Sequence, residues 1–121
     1  MQHEDRERAH EPEALARLFN VRANAGDLDG LVALYESEAV LAAGAVVARG
    51  HAEIRAFYAG LLARRSEFPA AELLPSLRNG ALAMTFARLP NGTVSAETAR
   101  RQADGTWLWI IDQLKIDRPR A

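Results

Sequence analysis

The chain contains no cysteine. Disulfides and thiolate metal sites are therefore excluded, and cysteine usage says nothing about the redox compartment. No apolar run approaches the ~20 residues a membrane-spanning helix needs. Charge of one sign is also missing: 15 Lys and Arg face 16 Asp and Glu, for a formal net charge of −1. Without a basic stripe, electrostatic capture of nucleic acid is not expected. Histidine is scarce. His3, His10 and His51 are too dispersed for a metal site, and neither a His-x-x-x-His pair nor a phosphate-binding glycine loop occurs. No metal and no cofactor is expected. The first thirteen residues are dense in charge (His3, Glu4, Asp5, Arg6, Glu7, Arg8) and hold no apolar segment. A secretory signal is not expected there, and a cytoplasmic location is the default.

What remains is ordinary for a globular protein: 121 residues, 49% hydrophobic and 26% charged, the size of one domain. Residues 1–10 read as a polar lead-in, frayed or helical. Residues 11–117 read as a single domain and 118–121 as a tail. Pro12 suits a first helical turn. Leu15, Leu18, Phe19 and Arg22 follow at i, i+3, i+4, i+7, one stripe of a first helix. Gly26 is placed to close that helix as a left-handed cap. Asp27 then looks like the N-cap of a second helix with the stripe Leu28, Leu31, Val32 and Tyr35. Short strands are expected at 39–42 and 45–48. His51 stands near the start of a third helix, whose stripe is Ile54, Phe57, Tyr58, Leu61 and Leu62.

From Ala70 the helical period gives way to alternation. Pro75 splits a weak strand at 73–77, and Asn79-Gly80 signals a hairpin. Residues 81–89 alternate, with Leu82, Met84 and Phe86 on one face. A final strand at 106–116 is apolar on both faces, Trp107, Trp109 and Ile111 on one and Leu108, Ile110, Asp112 and Leu114 on the other. Helices grouped before strands predict an α+β fold.

The segment Asn24-Ala-Gly-Asp-Leu-Asp-Gly-Leu-Val-Ala-Leu-Tyr35, then Arg49-Gly50, then Ile54-Arg-Ala-Phe-Tyr58, resembles the SnoaL-like and nuclear transport factor two-like superfamily. Within it the chain is most similar to the ketosteroid isomerase-like branch. The match covers residues 18–62; the second half agrees in strand order and in the final Gly-Thr-Trp strand. The resemblance implies a cystatin-like cone, a curved antiparallel sheet wrapped around three N-terminal helices. It implies no single activity, because the superfamily hosts isomerases, cyclases, dehydratases, epoxide hydrolases and non-catalytic binders, so function has to come from the site.

Ketosteroid isomerisation needs a carboxylate base and acids that stabilise the enolate oxygen. By the resemblance, the oxyanion tyrosine falls on Phe19, the catalytic aspartate on Ala43, and the second acid on Thr98 or Ala99. All three roles read as empty, so steroid isomerase activity is not expected. Tyr58 matches a tyrosine that supports the oxyanion tyrosine in that branch, and Tyr35 matches a position that is tyrosine or phenylalanine. Both are also simply accounted for as buried aromatics with satisfied hydroxyls.

Asp112 is the most unusual residue of the second half, a carboxylate in an apolar strand. Inside the cone its pKa would rise unless it were paired, which is how a general acid or base is prepared; at the open end it would be solvated or held by an arginine. Arg88 marks a strand end or meets an acid. Glu97 and Arg101 share one face of their strand, inward or outward. His51 is a helix-start residue or a catalytic one. The expected cavity is apolar, lined by Phe19, Tyr35, Tyr58, Met84, Phe86 and Asp112, and takes a small hydrophobic molecule. The expected outer sheet face (Trp107, Trp109, Ile111) would bury best in a homodimer. Two classes stay open: a cofactor-independent proton-transfer enzyme of isomerase, cyclase or lyase type using Asp112, and a non-catalytic dimeric binding module.

Overall fold

The computed structural model describes residues 6–116. In chain order it contains α1 (Ala14–Asn24), α2 (Leu28–Val32), β1 (Tyr35–Ala43), β2 (Val46–Arg49), α3 (Gly50–Arg64), β3 (Glu72–Leu73), β4 (Leu77–Asn79), β5 (Leu82–Arg88), β6 (Val94–Arg101) and β7 (Trp107–Gln113). The strands form one curved sheet in the order β2-β1-β7-β6-β5-β3, with β4 also on β5. The α+β cone is as expected. Its sheet is mixed, because β1 and β7 pair in parallel while the other ladders are antiparallel. His3 and the tail at 118–121 lie outside the described residues.

The first helix buries its expected stripe: Leu15, Leu18 and Arg22 are buried and Phe19 half-buried. It ends in a Schellman arrangement. The Gly26 N–H donates to Ala23 O at 3.0 Å and the Asp27 N–H to Arg22 O at 2.9 Å. Gly26 has φ 67°, a conformation glycine adopts without a Cβ penalty. Asp27 caps α2 by accepting from the Gly30 N–H at 3.0 Å. A Cβ at Gly30 would lie 2.2 Å from Asp27 Oδ2, so any larger residue there would displace the capping carboxylate.

Tyr35, expected to close the second helical stripe, opens β1 instead. The helix stops at Val32 because β7 captures the backbone beyond it: the Trp109 N–H donates to Leu34 O at 2.8 Å. The lead-in is neither frayed nor helical over 6–12. It is docked, with Ala9 buried and its carbonyl accepting from the Trp107 N–H at 2.9 Å. Arg6 pairs with Asp27 at 2.7 Å and Arg8 with Asp104 at 3.1 Å.

The feature that positions the site is a β-bulge in β7. Strict alternation would put Trp109 and Ile111 on one face and Asp112 on the other. The register runs Ala99↔Trp109, then Thr98↔Ile111, so Ile110 is an extra residue. A bulge inserts one unpaired residue and reverses the alternation beyond it. Trp107, Trp109 and Asp112 are therefore all buried, at 2%, 4% and 2% exposure, whereas Ile111 is 55% exposed. The expectation that both tryptophans face outward with Ile111 is corrected by this one insertion.

The inner face of β5 is also the reverse of the expected one. Ala83, Thr85 and Ala87 are buried, while Met84 and Leu82 are exposed and Phe86 is half-buried on the opposite face. These small inward residues face the helices and leave room for a cavity. On β6 the inward residues are Glu97 and Ala99.

Candidate functional site

A cavity of about 260 Å³ opens between α1, α3, the segment after α3 and the inner faces of β5, β6 and β7. That is slightly below the ~300–1,000 Å³ usual for small-molecule pockets. Phe19, Phe57, Phe68 and Leu114 contribute apolar wall, Glu97, Trp109 and Asp112 a polar sector, and Arg65 lines it as well. A second groove, about 300 Å³, lies under the lead-in and is lined by Arg6, Arg8, Arg22 and Asp104 among others. Its charges are committed to one another and to backbone: Arg22 donates to Gly30 O at 2.7 Å and to Glu7 O. The first cavity is the one lined by buried carboxyls and aromatic rings.

Asp112 is held there by a chain of hydroxyls. The Tyr35 O–H donates to Asp112 Oδ2. Tyr35 and Tyr58 oxygens lie 2.6 Å apart. A phenol has one proton to donate, so Tyr58 must be the donor to Tyr35. Burial pushes both phenols well above their ordinary range, with the Asp112 charge adding to it; they stay protonated and serve as donors. Tyr35 is wedged between Tyr58 and Trp109, with ring centroids 6.1 and 5.2 Å away. The His51 ring Nε2 lies 2.7 Å from Tyr35 O, tying α3 to the start of β1.

Glu97 stands directly opposite Asp112 across the β6–β7 ladder, where paired Cβ atoms are ~5 Å apart. Its two oxygens accept from Thr85 Oγ1 at 2.7 Å and Ser95 Oγ at 2.5 Å. Burial raises the Glu97 carboxyl, and the two hydroxyls pull it partly back. The Asp112 carboxyl is pushed well above the usual carboxylate range, first by burial and then by the Glu97 charge, against the opposing Tyr35 hydrogen bond. No arginine, lysine or histidine among the described residues compensates either group. Two buried polar atoms have no partner among the described residues, Asp112 Oδ1 and Trp109 Nε1, and both residues line the cavity. A carboxyl that stays neutral near pH 7 can act as a general acid.

Of the residues read from sequence, Asp112 and Phe19 reach the cavity. Tyr35 and Tyr58 are 1% and 0% exposed and stand behind Asp112 rather than on the wall. Met84 and Phe86 point to the other side of the sheet and line nothing inside. Ala43 is half-buried on β1, without a carboxylate. Thr98 points out and Ala99 in, so the penultimate strand brings its inward acid from Glu97 instead. Arg88 is exposed and 3.4 Å from Glu72, far from any role with Asp112. Glu97, open between inward and outward from sequence, and Trp109, expected on the outer face, both line the cavity. For Glu97 the available signal was spacing: it shares a face with Ala99, the least exposed residue of its strand.

An α+β cone of three helices and a curved mixed sheet is the architecture of the cystatin-like, nuclear transport factor two-like class. Residues 12–118 match the SnoaL-like domain family, and the chain belongs to that family. Among solved structures, a putative calcium/calmodulin-dependent protein kinase type II association domain from Thiobacillus denitrificans is similar, with TM-score 0.74 and 17% identity over 89% of this chain and 96% of that one. A cystatin-like protein of unknown function from Nostoc punctiforme gives TM-score 0.71 and 19% identity, covering 87% of each chain. A ketosteroid isomerase-like protein from Erwinia carotovora atroseptica gives 0.70 and 20% identity over 88% of this chain and 94% of that one. No protein of curated function matches the sequence. Among the described residues, no helix is long and apolar enough to cross a membrane.

Proposed function

We propose that this SnoaL-like domain binds a small hydrophobic molecule in the cone and performs cofactor-independent proton transfer on it, of isomerase, cyclase or lyase type, with Asp112 as the acid. One observation carries the reading: Asp112 is buried on the cavity wall, oriented by the Tyr58–Tyr35 chain, with no cation answering it and no partner for its second oxygen among the described residues. Phe19 and Ala43 leave the steroid-isomerase roles unfilled, so turnover of a β,γ-unsaturated ketosteroid should stay at background. The experiment is a carboxyl ¹³C NMR titration of the Asp-labelled protein. Asp112 should still hold its proton at neutral pH; an Asp112 resonance that ionises in the ordinary carboxylate range, ~4, would remove the acid and leave a binding module. A robust steroid turnover that survives Asp112→Asn would sink the reading from the other side.

The runner-up is a non-catalytic dimeric binding module, favoured by the same two replacements. Under either reading the chain acts in the cytoplasm and pairs with a second copy through the outer sheet face. That face carries Leu77, Leu82, Met84 and Ile111, at 70%, 43%, 43% and 55% exposure, with Leu77 opposite Met84 and only Thr98 between Met84 and Ile111 across the ladders. Light scattering should give twice the chain mass for the wild type and the single-chain mass for Met84→Lys/Ile111→Lys. A monomeric wild type would refute the pairing.

A further inference from the structure

Two acids share the cavity, and among the described residues no cation answers them. Glu97 and Asp112 face each other across β6 and β7, at 7% and 2% exposure. Buried charge is retained only when something compensates it. Glu97 is the better placed to hold the charge, since both its oxygens accept hydroxyl protons and such bonds favour the ionised form. Asp112, with one hydroxyl donor and a carboxylate opposite, is the better placed to keep the proton. That division of protons gives the pair one net negative charge. Around it stand the rings of Phe19, Phe57, Phe68 and Trp109, whose faces attract cations. Arg65 also lines the cavity, but it is exposed, lies over the Phe68 ring at 4.9 Å, donates to Glu67 O at 3.3 Å, and is not among the groups acting on either carboxyl.

We propose that the cavity's ligand is a small hydrophobic amine, bound as its ammonium ion. One positive charge meets the single negative charge of the pair. The ammonium donates to Glu97, the unpartnered Asp112 Oδ1 supplies the second polar contact, and the apolar body lies against the rings. The inference rests on the reading of the cavity given above and adds the ligand's charge to it.

Calorimetric titration of the full chain near neutral pH with three probes of one shape tests it: phenethylamine, phenethyl alcohol and phenylacetate. The amine should bind tighter than the alcohol by about tenfold or more, the equivalent of one well-made charge contact. Glu97→Gln should erase that margin, whereas Asp112→Asn, which leaves the Glu97 charge in place, should keep it; the three-probe order in the wild type decides the matter should Glu97→Gln not fold. Alcohol binding with no amine preference overturns the charge inference and leaves the cavity reading intact. Phenylacetate as the tightest probe, or a margin that survives Glu97→Gln, overturns it as well. Binding of none of the three overturns both readings together.

Discussion

Trp109→Ala should cost the protein about 3–5 kcal/mol, the range for truncating a buried large aromatic, whereas Ile111→Ala at low protein concentration should cost less than ~1 kcal/mol. The two residues are separated by one position in the same strand, and plain alternation would give them the same environment. The bulge at Ile110 separates them. Trp109 is 4% exposed and packs on Tyr35 and Phe19, at 5.2 and 6.3 Å between ring centroids; Ile111 is 55% exposed. Truncating Trp109 leaves a void continuous with the existing cavity, and removes the ring that holds Tyr35 against Asp112. A domain of this size shifts its midpoint by ~4 °C per kcal/mol, so the Trp109→Ala midpoint should fall by about 12–20 °C. Urea denaturation with unchanged slope provides the free energies. Equal costs at the two positions would mean that β7 has no bulge, and Asp112 would then point away from the cavity.

That contrast also marks how far the sequence was legible. Caps and helical stripes depend on near neighbours, so Gly26, Asp27, and the stripe from Leu15 to Arg22 read correctly from local chemistry. The match to a known fold extended this to the strand order. The inward and outward assignment of the sheet did not follow, because strand facing has a period of two and one inserted residue inverts everything after it. In β7 the insertion falls inside Trp107-Leu-Trp-Ile-Ile-Asp112, where every residue before the aspartate is apolar and no polar residue marks the switch. In β5 the larger side chains, Leu82, Met84 and Phe86, suggest a core face. The actual core face is the row of small residues, because the helices and the cavity occupy that side. Tyr35 was misread for a related reason: its spacing from Leu28 and Leu31 is helical, and only the Trp109 N–H, far along the chain, draws the backbone at Leu34 into the sheet. Asp112 itself was legible as an anomaly. Its partner Glu97 was not, since a glutamate in an alternating polar strand looks solvated until the fold covers it.

Asp112→Asn should make the protein more stable at neutral pH, by about 1–2 kcal/mol, the usual scale for relieving a strained functional group, and should flatten its dependence on pH. The Asp112 and Glu97 carboxyls are both raised in the folded state, by burial and, for Asp112, by the Glu97 charge. A raised carboxyl means that the folded protein binds more protons than the unfolded chain between the unfolded pKa, ~4, and the folded one. Stability therefore falls as pH rises through that window, which begins near pH 4 and, for Asp112, extends well above the ordinary carboxylate range. The tyrosines do not contribute there, since their raised phenols begin to matter only above their ordinary value of ~10. Asparagine accepts the Tyr35 hydrogen bond through its carbonyl and has no charge to bury, so the slope assigned to Asp112 disappears. Glu97→Gln removes both its own burial cost and its push on Asp112. Either substitution leaves a single carboxyl, so the double variant should gain less than the sum of the two singles, as coupled neighbours do. Urea midpoints for the four proteins at intervals from pH 5 to about 9 decide the matter. A wild type whose stability is flat across that range, or an Asp112→Asn variant with the same slope, would mean that the carboxyls are compensated, and the physical basis for an acid at Asp112 would be gone. A gain confined to neutral and higher pH would show a site kept at the expense of the fold, which is expected where a buried acid is retained for what it does to a ligand.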